Sequence, residues 1–371
     1  MTRVRHTARG SGDSNPAYVN ARVRARRAAL LDESDYRKLV RMGPNEIARF
    51  LEETEYEREV NELGARHSGV DLVEYALNAN LSRHFDDLLD WADGRLYEDV
   101  ARYLRKFDAW NLKTVLRGRY TGADRASVEA DLIRGGEFTD AELDRMLAAE
   151  DVEAIVEVAR GSIFYEPARD ALEAFEETGL LIPLENAIDR AFYQNLVGDG
   201  DLAETLGGGR LDAIRLGTSS PQDLYREFLV AEIDFLNVRN ALRIARSGAE
   251  VDPTEYVIEG GRLFTPRELA RLARDLDELV AAIRDSIYGD ELSEALDALE
   301  DAESLMEVER SIDRALIAYG DRLGSRYPVS VCPVIAFVLA KEQEVQNVRA
   351  IARGREAGLS EEEIREELVL L

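Results

Sequence analysis

An asparagine-centred segment occurs three times in these 371 residues, which limits the chain to architectures built from copies of one unit. The copies are Asp108-Ala-Trp-Asn111-Leu-Lys113-Thr-Val-Leu-Arg117, Asp234-Phe-Leu-Asn237-Val-Arg239-Asn-Ala-Leu-Arg243 and Glu344-Val-Gln-Asn347-Val-Arg349-Ala-Ile-Ala-Arg353. Each has an acid three residues before the Asn, an aliphatic residue after it, a base at plus two and an Arg at plus six. The positions one, four and five after each Asn are apolar, which is one face of a 3.6-residue helix.

Two further elements recur in the same order. A helix-start signal stands at Leu31-Asp32-Glu-Ser-Asp35, at Phe138-Thr139-Asp-Ala-Glu142 and at Phe264-Thr265-Pro-Arg-Glu268. The last two read as capping boxes, in which Thr and Glu satisfy each other's backbone amides. A second signal stands at Glu74-Tyr-Ala-Leu-Asn78, Glu185-Asn-Ala-Ile-Asp189 and Glu309-Arg-Ser-Ile-Asp313. From cap to Glu the separations are 42, 46 and 44, and from Asn to the next cap 28 both times. The Glu-to-Asn interval varies most, at 37, 52 and 38, with the excess in the glycine-rich stretch from Gly198 to Ser220, which reads as a surface loop. A fourth start at Leu359-Ser360-Glu-Glu-Glu363 adds a closing helix. With no convincing alternation of strand type, the expected fold is all-α. It comprises a mobile basic arm over 1–16, helical units at 17–134, 135–258 and 259–371, and the closing helix in the last unit.

Charge excludes several functions. Asp and Glu number 74 against 47 Lys and Arg, a net charge of −27 that repels phosphate backbones and argues against nucleic acid as a partner. Only four of those cations are lysines (Lys38, Lys106, Lys113 and Lys341). Excess carboxylate with little lysine is the habit of proteins that work in brine, where the Debye length falls to about 3 Å at 1 M salt. The start is the exception: residues 1–27 hold seven Arg and one Asp. The longest apolar run, Pro328 to Ala340, has 13 residues and two prolines, whereas a membrane span needs about 20. The start has no apolar stretch of the secretory type. One cysteine, Cys332, rules out an internal disulfide and a cysteine zinc site, and no two of His6, His67 and His84 are spaced as a helical ligand pair. No cofactor, metal or small-molecule substrate is expected.

Other motifs are weighed against plainer readings. Asp86 and Asp90, four apart on one helix face, are the carboxylate spacing of magnesium-dependent isoprenoid-type enzymes, but no second Asp-rich helix accompanies them, and a solvated acidic face is the simpler reading. Gly207-Gly208-Gly209-Arg210 lacks the Lys-Ser/Thr ending of a phosphate loop. His84 reads as a surface or packing histidine in preference to a ligand. The nine recurring positions Asn111, Lys113, Arg117, Asn237, Arg239, Arg243, Asn347, Arg349 and Arg353 have two readings: helix packing against acids of an adjacent helix, or a ring of positive charge offered to a partner.

The stretch Tyr327-Pro328-Val-Ser-Val-Cys-Pro333-Val-Ile-Ala-Phe-Val-Leu-Ala340-Lys341-Glu342-Gln-Glu344-Val-Gln-Asn347-Val-Arg349, with the earlier Asp108-Ala-Trp-Asn111-Leu-Lys113, resembles the C subunit of archaeal A-type and vacuolar V-type rotary ATPases, known as the d subunit in the eukaryotic pump. The resemblance covers roughly residues 17 to 371. It implies a funnel of three similar helical domains about a pseudo-threefold axis, one copy per complex. It also implies a non-catalytic central-stalk role, with the base on the proteolipid c-ring and the hollow receiving the D and F subunits of the rotor shaft, so that ion transport drives ATP synthesis or the reverse. The implied location is peripheral, on the cytoplasmic face of the cell membrane. A helical scaffold unrelated to ATPases shares the repeats but not those partners.

Overall fold

Each helix-start signal becomes a capped helix in the computed structural model, which describes residues 12–197, 221–247, 253–301 and 305–370. Asp32 opens α2 (Glu33–Leu39), Thr139 opens α9 (Asp140–Ala148), Thr265 opens α15 (Pro266–Leu272) and Ser360 opens α20 (Glu361–Glu366). All four close reciprocal capping boxes, Asp32 with Asp35 included. The Glu142 N–H donates to Thr139 Oγ1 at 3.2 Å while Glu142 Oε2 accepts from the Thr139 N–H at 2.8 Å. Such a cap contributes about 1 kcal/mol by satisfying amides that the helix leaves bare.

The described chain is helical throughout, without a strand. The Glu segments lie in long helices: Glu74 in α5 (Gly69–Trp91), Glu185 in α13 (Ile182–Val197) and Glu309 in α18 (Leu305–Arg326). The Asn segments lie in α7 (Lys106–Thr121), α14 (Pro221–Ser247) and α19 (Cys332–Ala357). The apolar face read from the Asn spacing is buried in all three: Leu112, Val115 and Leu116; Val238, Ala241 and Leu242; Val348, Ile351 and Ala352. None of the described helices is long and apolar enough to cross a membrane. The glycine-rich stretch 198–220, with the Gly207-Gly208-Gly209-Arg210 motif, lies outside the described residues.

Packing divides the chain into two compact units, residues 1–192 with 337–368, and residues 193–336 with 369–371. In the first, α3 (Pro44–Glu52) and α4 (Glu57–Leu63) cover α5, and Phe85 stacks on Phe107 with ring centroids 4.6 Å apart. In the second, α14 and α18 pack with α16 (Leu276–Arg284) and α17 (Gly289–Asp301) around Phe235 and Tyr288, whose rings meet edge to face at 5.2 Å.

Residues 1–11 of the basic arm lie outside the described residues, whereas 12–15 lie against the turn between α5 and α6 (Gly94–Leu104). Asn15 Nδ2 donates to Trp91 O at 2.8 Å, and its Oδ1 accepts from the Asp93 N–H at 3.0 Å. Gly94 is required there twice over: its φ is +57°, and a Cβ would stand 2.2 Å from the carbonyl oxygen of Gly12. Two arginines of α1 (Pro16–Arg27) lie against the end of α5. Arg22 stacks over Tyr18 and Trp91, and Arg26 pairs with Asp87 at 2.6 Å.

Candidate functional site

The recurring bases meet the recurring Glu segments. Lys113 Nζ lies 2.5 Å from Asp189 Oδ1, and Arg117 grips Glu185 at two points, Nε to Oε1 at 2.5 Å and Nη2 to Oε2 at 3.0 Å. In the second set Arg239 meets Asp313 at 3.0 Å and Arg243 meets Glu309 at 2.7 Å. In the third, Arg349 Nη2 donates to Asn78 Oδ1 at 2.6 Å, and Arg353 pairs with Glu74 and with Asp131. The register is the same each time: the base at plus two faces the position four after Glu, and the Arg at plus six faces the Glu itself. The order is cyclic. The first Asn segment holds the second Glu segment, the second holds the third, and the third holds the first.

The acid three residues before each Asn follows the same cyclic rule toward the capped starts. Asp108 accepts from the Glu137 and Phe138 N–H groups at 2.6 and 2.9 Å, just ahead of the Thr139 cap. Asp234 Oδ1 accepts from the Arg262 and Leu263 N–H groups at 2.8 and 2.9 Å, just ahead of Thr265. Glu344 Oε2 accepts from the Leu31 N–H at 2.5 Å, immediately ahead of Asp32. The two aspartates are short, so the backbone must come close. A Cβ on Gly136 would lie 2.1 Å from Asp108 Oδ1, and one on Gly261 would lie 2.4 Å from Asp234 Oδ1. The loop before Asp32 carries Ala28 and Ala29 instead, and there the acid is glutamate, one methylene longer. Burial pushes the Asp234 carboxyl up to about 6, against the lowering effect of its two amide donors and of Arg262.

Each Asn is buried. Asn111 and Asn237 clamp the chain that follows them: Nδ2 donates to Ile133 O at 2.7 Å and to Ile258 O at 2.8 Å, while Oδ1 accepts from the N–H of the same two residues at 2.8 Å. The side-chain amide thus stands in for a strand partner of one backbone residue. Asn347 is buried too, and its Oδ1 accepts from Gln343 Nε2 at 3.0 Å.

A third recurring contact escaped the sequence reading. In Thr54-Glu-Tyr56, Ser162-Ile-Phe164 and Ser286-Ile-Tyr288 the hydroxyl accepts the N–H of the aromatic residue at 3.3, 3.2 and 3.2 Å, and all three aromatics are buried. They stand 24, 25 and 23 residues after their caps, a regularity visible in the sequence. Tyr56 OH donates to Glu344 Oε1 at 2.7 Å, and Tyr288 OH accepts from Arg262 Nη2 at 3.0 Å. The pair Glu227 and Arg262 is itself two-pronged at 3.0 Å, and Tyr319 OH adds a donor to Glu227 at 2.9 Å.

The Asp86 and Asp90 side chains are exposed on α5, and among the described residues no group of His, Cys, Asp and Glu is arranged to hold a metal ion. His84 is buried against Phe337, edge to face at 5.5 Å, as a packing residue.

Fold and junctions together define an all-helical protein whose repeated polar residues bind one another. A sequence model of the family described as the ATP synthase (C/AC39) subunit matches residues 19–367, and the chain belongs to that family. It is 60% identical to the C subunit of the A-type ATP synthase of Haloferax volcanii over 361 residues, covering 97% of this chain and 99% of that one. The corresponding C subunit of Halorubrum lacusprofundi is 58% identical with the same coverage, and that of Methanococcoides burtonii is 32% identical over 100% and 98%. The relatives of highest identity among these come from halophilic archaea, in keeping with the acidic, lysine-poor composition.

Proposed function

We propose that the protein is the central-stalk subunit of a rotary A-type ATP synthase. In this reading it is a non-catalytic coupling that sits on the proteolipid c-ring at the cytoplasmic face of the membrane. It receives the foot of the shaft formed by the D and F subunits, with one copy per complex. The names of its relatives support membership of that machine.

The observation that carries the reading is the cyclic order of the junctions. When the first segment binds the second, the second the third and the third the first, with the same register at each step, the simplest arrangement is a closed ring of three units, 17–134, 135–258 and 259–371. That supports an all-α funnel of pseudo-threefold symmetry. A piece that passes torque between a ring and a shaft must resist shear at every joint. A closed ring resists it better than an open stack, because no joint can open without straining the other two. The nine recurring residues then serve the joints, not a substrate.

The test is capture of the tagged protein from membranes solubilised gently at native salt, read by mass spectrometry. Proteolipid and the D and F subunits are expected together. Recovery of D and F without proteolipid, or of neither, refutes the coupling role. The protein should also leave the membrane at low salt without detergent.

A further inference from the structure

The three junctions are not equal, and the difference lies at Lys341. Its side chain is completely buried in α19, on the face that also carries Phe337, Val338, Val345 and Val348. An ammonium has three protons to place. Here they go to Glu55, to Tyr56 OH at 2.9 Å and to Glu344 Oε1 at 2.7 Å. Glu344 comes from the same helix. Glu55 and Tyr56 come from the turn between α3 and α4, some 285 residues earlier in the chain. The residues at the matching position of the other two Asn segments are Arg105, which meets the exposed Glu137 at 2.8 Å, and Ala231. Neither buries a lysine.

We infer that Lys341 and the turn carrying Glu55 and Tyr56 form a charge clasp that makes the junction between the end and the start of the chain open and close as one unit. The physical reason is the cost of the half-made state. An ammonium withdrawn from water into apolar surroundings with one carboxylate and no further partner is strongly unfavourable. The α19 face therefore cannot stay packed once the turn leaves, and the turn cannot stay packed around Glu55 once Lys341 leaves. Other groups of the same junction move with it: Lys106 with Glu342 at 2.6 Å, Arg349 with Asn78, and Arg353 with Glu74 and Asp131. The other two junctions carry forks with half-exposed arginines, Arg117 and Arg243, which give way by degrees and are screened by salt, and although the second of them also holds the largely buried pair of Glu227 and Arg262, neither has a fully buried ammonium.

Hydrogen exchange on the full chain tests this directly, because it reports opening segment by segment. In Lys341→Met, exchange over residues 44–63 and 338–353 should quicken together, by at least about tenfold, while exchange over 221–247 and 305–326 changes less than about twofold. Tyr56→Phe keeps the ring, removes one of the three acceptors and should quicken the same two segments to a smaller extent, so the test survives if Lys341→Met fails to fold. In the native chain, raising salt from about 1 M to about 4 M should change exchange at the clasp less than exchange around Arg243 and Glu309. Equal quickening in all four segments in the variants, quickening of only one of the two clasp segments, or protection unchanged by either substitution overturns the inference.

Discussion

Arg117 and Glu185 face each other in a two-point fork, Nε to Oε1 at 2.5 Å and Nη2 to Oε2 at 3.0 Å, from helices whose interacting residues are 68 positions apart. Arg243 and Glu309 occupy the same places 66 positions apart, with both guanidinium donors on one carboxylate oxygen. Arg353 and Glu74 repeat the match across 279 positions. One rule of pairing thus operates at two very different sequence distances.

The forks should be weak singly and salt-dependent. Arg243→Gln removes a half-exposed cation and is expected to cost under about 1 kcal/mol in chemical denaturation at moderate salt, and less at multimolar salt. Arg349→Gln acts on a buried guanidinium hydrogen-bonded to Asn78 and should cost about 1–3 kcal/mol with little dependence on salt.

Removing a clamp amide leaves a buried backbone pair unmet. Asn237→Ala strips the Ile258 N–H and C=O of their partners and should cost about 1–3 kcal/mol, as should Asn111→Ala for Ile133. Equilibrium unfolding read by circular dichroism gives the quantity.

Gly136→Ala drives a methyl into Asp108 and should destabilise by about 1–3 kcal/mol, and Gly261→Ala should do the same through Asp234. If close approach is the cause, pairing Gly136→Ala with the shorter Asp108→Ser should cost less than the sum of the two single changes, which a double-mutant cycle measures.

The clasp region should make the protein acid-sensitive in two windows. Burial would raise the Glu55 carboxyl, but the neighbouring His84 and the Lys341 charge outweigh it and hold it down at about 2. The His84 Nε2 stands 3.2 Å from Glu55 Oε2 without hydrogen-bond alignment, and burial drives the imidazole below its ordinary range in spite of Glu55. In both groups the unfolded chain binds protons more readily than the folded one, so stability falls as pH falls. The His84 contribution is full above an ordinary imidazole value of about 6.5 and is lost as pH falls below it. The Glu55 contribution is full above the ordinary value of 4.5 and is lost as pH falls toward about 2. Thermal melts across pH 7 to about 3 should show a shallower loss for His84→Gln in the upper window and for Glu55→Gln in the lower one, each relative to the native chain.

Local architecture was legible in the residues alone. Capping residues such as Thr139 and Thr265, and the apolar positions after each Asn, act over a single turn of helix, so three helical copies with their buried faces could be read directly. The acids before each Asn were visible as a pattern but not as the ligands of the next cap loop. The Ser/Thr-x-aromatic turns were present and unread. Which acid answers which base emerged only from the folded chain, because helix periodicity fixes the side of a helix that a charge occupies and says nothing of the helix opposite. Lys341 shows the limit most plainly. In sequence it is one cation beside Glu342 and Glu344, and its partners Glu55 and Tyr56 are brought to it only by the packing of apolar faces nearly three hundred residues apart.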